Sequence, residues 1–497
     1  MKYILAVDQG TTGSRAIVYD RTGAAIASAY AEFPQHFPQP GWVEHDPADI
    51  WRSVHRTIQK VLAAVPGSDI AAVGITNQRE TAVLWDRTTG RAVHNAIVWQ
   101  CRRTAERCRE LASEEGMAAL IRRKTGLPID AYFSATKVEW ILKRLGYGHG
   151  RSGTGRAGGG LCFGTTDSWV LWNLTGGRSH ATDPTNASRT MLYDIGARRF
   201  DPDLLKIFGV PEAILPEVRP SSSDFGRTVR IGRLPAGIPI TGIAGDQQAA
   251  LFGQACFGPG TSKATYGTGC FILLNTGRRR VESRHGLITT LACGPEGRTV
   301  YALEGSVFVA GAAVQWLRDQ LGLLKKSEDS EAMAAAVPDN AGVYFVPAFV
   351  GLGAPYWDAD ARGTIVGLTR GANRNHIVRA ALEAMAYSAR DVLETMRRDS
   401  GLRIRDLRVD GGTVANEFLC RFQADILGIP VLRPRTIETT SLGAAYLAGL
   451  AIGYWESTAE IAKNWAVDRE FKPVMRQAAA DELYRDWQAA VKRALSS

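Results

Sequence analysis

The chain has 497 residues, 45% of them hydrophobic and 22% charged, with a formal net charge of +9 at pH 7. That length predicts two or three domains with ample core, and the composition is that of a globular protein rather than a disordered or low-complexity one. The modest positive charge favours anionic ligands such as nucleotides or phosphate esters, while the lack of a long basic run, a zinc-finger spacing or an aromatic RNA-binding signature argues against nucleic acid.

The first apolar run, ILAV, is too short for a secretory leader and ends at Asp8. No apolar stretch is long enough for a membrane span. The seven cysteines are widely spaced with no C-x-x-C, which argues against a disulfide framework or structural zinc and fits a reducing compartment. A cytoplasmic location is the expectation.

Residues 4–20, ILAVDQGTTGSRAIVYD, read as strand, tight turn, strand. The turn Gly10-Thr11-Thr12-Gly13-Ser14 gathers hydroxyls and N–H groups that can wrap a phosphate. Asp8 at its mouth can hold Mg²⁺, a cation that prefers carboxylate, water and phosphate oxygen. A plain polar hairpin is the alternative reading. Residues 23–33 read as a third strand. A helix is expected after Asp46-Pro47, with Ile50, Val54, Ile58, Leu62 and Val65 at helical spacing. IAAVGITNQ (70–78) reads as a buried strand that delivers Arg79-Glu80, able to bond neighbouring hydroxyls of a polyol or to form an ordinary surface ion pair. Trp99, after the apolar run at 96–98, suits either an apolar wall for a small carbon skeleton or the core. The glycine-rich segment 147–160 lacks the G-x-x-x-x-G-K-S/T of a phosphate loop and reads as a surface loop or linker.

In ITGIAGDQQAALFG an apolar strand and a glycine present Asp246 at a strand-to-helix junction. A carboxylate there can orient an alcohol and accept its proton during phosphoryl transfer, or simply cap the helix. Gln247 can fix a second hydroxyl. Residues 262–274, SKATYGTGCFILL, then repeat the shape of the opening hairpin around Gly267-Thr268-Gly269. A period of about half the chain suggests two similar domains holding a nucleotide in a cleft between them, with expected boundaries 1–251 and 252–497. Gly311, Ala312 and Ala313, with Gln315 one turn on, can line a slot, or simply pack tightly. Gly411-Gly412 lets backbone approach a flat ring, and Asn416, near a helix start, can bond a ribose or base. Residues 443–455 and 481–495 read as helices, the first small and apolar, the second amphipathic.

Taken together, AVDQGTTGSRA, PGWVEHDP, GITNQRET, IVWQCRRT, YFSATK, TDPTNASRTML, GIAGDQQAALFGQ, TYGTGCF, PAFVGLGAPYWD and VDGGTVAN closely resemble the FGGY carbohydrate kinases, in particular their glycerol-phosphorylating members. GTIVGLTRGANRNHIVRAALE resembles the second signature of that family. The resemblance runs from about residue 3 to about 470. It implies an α/β fold of two ribonuclease-H-like domains of the actin/hexokinase/Hsp70 type around a nucleotide cleft. It implies ATP-dependent phosphorylation of glycerol to sn-glycerol 3-phosphate, with ATP/ADP and Mg²⁺, and a homodimer or homotetramer. By resemblance, Arg79, Glu80, Tyr132, Asp246 and Gln247 hold glycerol, with Asp246 as base, and Trp99 and Phe271 pack on its carbon edge. Thr11, Thr12, Gly13, Arg15, Thr268, Gly311, Gln315, Gly412 and Asn416 handle the nucleotide, and Asp8 sits near the metal.

Three features depart from that pattern. Gly13 stands where many members have serine, which removes a hydroxyl from the phosphate turn. The region 229–239, VRIGRLPAGIP, does not match the loop that binds fructose 1,6-bisphosphate in well-known bacterial members, and carries no histidine like the one phosphorylated in some Gram-positive members. FKPVMRQAAADELY near the C-terminus does not match the surface that binds the enteric phosphotransferase regulator. None of these forms of regulation is expected. A kinase for another polyol or a ketose is the nearest alternative, and an actin-like ATPase is a more distant one.

Overall fold

A computed structural model describes residues 2–146 and 160–496. Except for Gly160, the glycine-rich segment 147–160 lies outside these residues. The chain divides into two compact units, and the division is discontinuous. The first unit comprises 1–257, 289–301 and 439–464; the second comprises 258–288, 302–438 and 465–497.

The first unit is built on six strands: β1 (Tyr3–Gln9), β2 (Gly13–Tyr19), β3 (Ala25–Glu32), β4 (Ile70–Asn77), β5 (Ser222–Arg227) and β6 (Pro239–Gly245). Their order across the sheet is β3-β2-β1-β4-β6-β5. β1, β2 and β3 form an antiparallel meander, β4 and β6 add parallel, and β5 closes the edge antiparallel. Ile4 to Val7 and Val73 to Ile75 are buried, as expected for central strands covered on both faces.

Helix Pro47–Ala64 covers one face. Asp46 caps it by accepting the Ala48 N–H, and Ile50, Val54, Ile58, Val61 and Leu62 turn inward. The other face is covered by helix Thr439–Ala451, whose small residues permit backbone contact. A Cβ on Gly74 of β4 would fall 2.2 Å from the Ala444 carbonyl, and one on Gly443 would fall 1.9 Å from that of Ala249. Glycine is therefore required at both places. This helix ends at Ala451, short of Trp455. The chain turns at Gly453 with φ +69°, and Trp455 folds back onto Tyr446.

The second unit repeats the plan. Its strands are β7 (Ser262–Tyr266), β8 (Cys270–Gly277), β9 (Thr299–Val307, within this unit from Ala302), β10 (Leu407–Asp410), β11 (Val431–Pro434) and β12 (Val467–Phe471). Within this unit the order is β9-β8-β7-β10-β11-β12. β7 and β8 are antiparallel, β10 and β11 join parallel, and β12 closes antiparallel. The two sheets thus share one order around their opening hairpins, the duplication expected from the repeated hairpin sequence. Helix Arg374–Ser400 supplies much of the second core.

All seven cysteines are buried free thiols. Among the described residues, no helix is long and apolar enough to cross a membrane.

Candidate active site

In the first unit, β1, β4 and β6 are neighbours and run parallel, so their C-terminal ends meet along one edge. Ligand-binding groups in open α/β sheets collect at such ends. β1 ends with Asp8 and the phosphate-type turn, β4 leads to Arg79-Glu80, and β6 leads to Asp246.

Arg79 and Glu80 are 3% and 1% exposed, so they do not form a surface ion pair. Arg79 Nε lies 3.1 Å from Asp246 Oδ1 and 3.9 Å from Glu80 Oε1, and its Nη1 donates to Gln248 Oε1 at 3.1 Å. One guanidinium therefore links both acids. Glu80 adopts φ +61°, a left-handed conformation that costs a non-glycine residue energy and clusters at functional sites. Gly245 is the N-cap of helix Asp246–Gly253, so Asp246 is its first helical residue rather than its cap. The Asp246 side chain is 29% exposed, and its Oδ1 also accepts the Gln247 N–H at 2.7 Å. Gln247 is buried.

Trp99 is half-buried, so it is not a core residue. Its ring meets Tyr132 edge-on at 5.6 Å, and its Nε1 donates to Thr11 Oγ1 at 2.9 Å. That bond ties the aromatic wall to the phosphate-type turn. Within the turn, the Gly10 N–H donates to the Gly13 carbonyl, Thr12 is exposed with its hydroxyl 3.3 Å from Tyr30 Oη, and Arg15 lies over the Tyr30 ring. A Cβ on Gly13 would fall 2.6 Å from the Tyr30 ring and 2.7 Å from the Ala31 carbonyl. The neighbouring strand thus fills the place that a serine side chain would take. Asp8 is half-buried, opposite Arg15 on β2 and Thr76 on β4.

Three buried residues without an assigned role in the sequence reading support this group. Arg189 Nε reaches Glu80 Oε1 at 2.6 Å, and its guanidinium lies 5.5 Å from the Tyr132 ring and 5.3 Å from that of Phe133. Lys137 donates to the carbonyls of Ala131, Tyr132 and Phe133 at 2.5, 2.6 and 2.9 Å. Burial lowers its pKa to about 8, with Glu80 opposing the shift. Gln248 receives Arg79. Arg189 lies in TDPTNASRTML and Lys137 in YFSATK, so the only signal in the sequence was membership of a matching segment.

In the second unit, Thr268, Gly311, Gln315, Gly412 and Asn416 all line one cavity of about 410 Å³, together with Tyr266, Ser327, Glu328, Ser330, Glu331 and Thr413. The turn of the second hairpin is stitched to helix Gly311–Asp319. The Thr268 carbonyl accepts the N–H groups of Ala310 and Ala312, and the Gly267 carbonyl accepts that of Gly311. These are N–H groups that a helix start leaves without intrahelical partners. A Cβ on Gly311 would fall 2.6 Å from the Gly267 carbonyl, whereas one on Gly412 would meet nothing within 4 Å. Asn416 caps helix Glu417–Leu427 by accepting the Leu419 N–H, and its amide donates to Ser330 Oγ at 3.2 Å. Phe271 is half-buried on β8.

Among the described residues, no group of three or more histidine, cysteine or acidic side chains is arranged to hold a metal.

The chain matches the N-terminal domain of the FGGY family of carbohydrate kinases over residues 3–253 and the C-terminal domain over 262–452. It is 57% identical to the glycerol kinase of Desulfitobacterium hafniense over 99% of both chains. It is 58% identical to that of Symbiobacterium thermophilum over 99% of this chain and 98% of the relative. The crystal structure of Plasmodium falciparum glycerol kinase with ADP matches with a TM-score of 0.90 and 35% identity, covering 100% of this chain and 99% of that one.

Proposed function

The chain belongs to the FGGY family of carbohydrate kinases, and from that premise we infer that it transfers the γ-phosphoryl group of ATP to a terminal hydroxyl of glycerol, giving sn-glycerol 3-phosphate and ADP. The carrying observation is the buried Arg79, which joins Asp246 and Glu80 at adjacent strand ends. That set offers charged donors and acceptors for the neighbouring hydroxyls of a triol. Full-length identity to proteins named glycerol kinase supports the same substrate.

In this reading Asp246 orients the attacking hydroxyl and accepts its proton. Arg79, Glu80, Tyr132 and Gln247 hold glycerol with it, while Trp99 and Phe271 pack on the carbon edge. Thr268, Gly311, Gln315, Gly412 and Asn416 hold the nucleotide. Thr11, Thr12, Gly13 and Arg15 handle phosphate. Phosphoryl transfer asks mostly for positioning and charge neutralisation, which these side chains supply. Asp8 suits Mg²⁺, because that ion is commonly bound by one or two carboxylates and otherwise by water and phosphate oxygens. When bound, Mg²⁺ would neutralise phosphate charge.

A homodimer or homotetramer is part of the proposal, as is a cytoplasmic, reducing setting, supported by the seven free thiols. The test is ATP consumption with glycerol, dihydroxyacetone, erythritol, xylulose or no acceptor. Glycerol should give the highest kcat/KM. Strong turnover of xylulose and none of glycerol would overturn the substrate.

A further inference from the structure

The residues 183–190, DPTNASRT, are polar and turn-like in sequence, yet every one of them is buried. Their polar groups do not simply satisfy one another. They reach out to the chain segments that carry Arg79, Glu80, Tyr132 and Asp246.

Asp183 organises one end. Its carboxylate accepts the Thr185 hydroxyl at 2.8–2.9 Å, the N–H groups of Thr185 and Asn186, and the Ser221 hydroxyl at 2.7 Å. The Thr185 hydroxyl, oriented in this way, accepts the N–H of Gly245 at 2.8 Å, one residue before Asp246. Asn186 Oδ1 accepts from Asn77 Nδ2 at 3.0 Å, at the end of the strand that leads to Arg79. Arg189 holds the Glu80 carboxylate. The Thr190 carbonyl accepts the Ala135 N–H at 2.8 Å, in the helix that follows Tyr132. One short segment is therefore bonded to the backbone before Asp246, to the strand end before Arg79, to the side chain of Glu80 and to the helix after Tyr132.

We propose that Asp183–Thr190 is a positioning bracket for phosphoryl transfer, in which Thr185 sets the backbone that aims Asp246 and Arg189 fixes the Glu80 carboxylate on its substrate hydroxyl. The proposal rests on the glycerol kinase reading. It assigns different kinetic roles to two residues of one segment. Thr185 acts through the base and bears on kcat. Arg189 acts through a hydroxyl-binding carboxylate and bears on the KM for glycerol. The KM for ATP depends on neither.

The experiment compares wild type with Thr185→Val, Thr185→Ser and Arg189→Lys, measuring kcat, both KM values and melting temperature, with rates normalised to folded protein by stoichiometric ADP binding. Valine preserves shape but cannot accept the Gly245 N–H; serine can. Thr185→Val should lower kcat about 10- to 100-fold, the scale expected when a reacting group is misplaced by about 1 Å, and Thr185→Ser should recover most of that loss. Arg189→Lys keeps the charge but loses the guanidinium fork, so it should raise the KM for glycerol about tenfold or more and leave that for ATP unchanged. An unaltered kcat in Thr185→Val, a serine variant as impaired as the valine one, or a loss in Arg189→Lys that leaves the glycerol KM untouched would overturn the bracket. A wild-type chain with no glycerol-dependent turnover would overturn the functional reading instead.

Discussion

Arg79 Nε approaches Asp246 on Oδ1, the same oxygen that accepts the Gln247 N–H. The acid is thus fixed in rotation by a cation from one strand end and an amide from its own helix. Replacing Asp246 with asparagine keeps the shape but removes both the proton acceptor and the charge facing a guanidinium that is only 2% exposed. Asp246→Asn should lower kcat by about 10²- to 10⁴-fold, the usual contribution of a general base, while glycerol still binds. Near-normal turnover in a steady-state assay would remove Asp246 as the base.

Gly13 has no room for a side chain. The Tyr30 ring is exposed, but the Ala31 carbonyl belongs to the β2–β3 ladder and cannot move without opening it. Gly13→Ser should cost about 1–3 kcal/mol, as overpacking does, and adding Tyr30→Ala should recover only part of it. Thermal melts decide the matter: a serine variant that melts with wild type would mean that the turn has slack.

Gly412 lines the cavity of about 410 Å³ in the second unit, and a Cβ there would meet nothing within 4 Å. Gly412→Val should therefore raise the KM for ATP about tenfold or more, leaving the KM for glycerol and the melting temperature near wild type. An unchanged KM for ATP would show that the nucleotide does not use this wall.

In the second unit, burial raises the pKa of Asp391 to about 6, although Trp487 Nε1 and Tyr484 Oη donate to it. Because the folded pKa exceeds the unfolded value, the folded state binds more protons between about pH 4 and 6. Stability from this group is thus full below that window and is lost as pH rises through it. Asp391→Asn should flatten this part of the profile, so that its melting temperature relative to wild type improves from pH 4 to pH 7. Parallel profiles would show that Asp391 does not titrate there.

Much of the fold was legible because its signals are local. The apolar runs of β1, β4 and β6 end in polar residues, and the repeated Gly-Thr turns marked the duplication. Arg79, Glu80 and Asp246 could be found because each follows such a run. Thr185 and Arg189 could not, since DPTNASRT has no apolar period and its burial arises only when distant strands close around it. Helix Thr439–Ala451 was expected at 443–455 because a run of small apolar residues carries no boundary signal. It starts at two threonines and stops at Ala451, two residues before Gly453 turns the chain at positive φ.

That helix also bears on how the chain is made. A ribosome that has synthesised residues 1–257 has made every strand of the first sheet, yet the partner of Gly74, Gly242 and Gly253 is still unmade. The glycine-lined face, and the helix bearing Asp246 with it, must wait for nearly two hundred further residues before it can be covered. During elongation an apolar surface is therefore exposed in every nascent molecule, and a stop codon placed after the first sheet would release a fragment that holds the acid but lacks the helix needed to seat it.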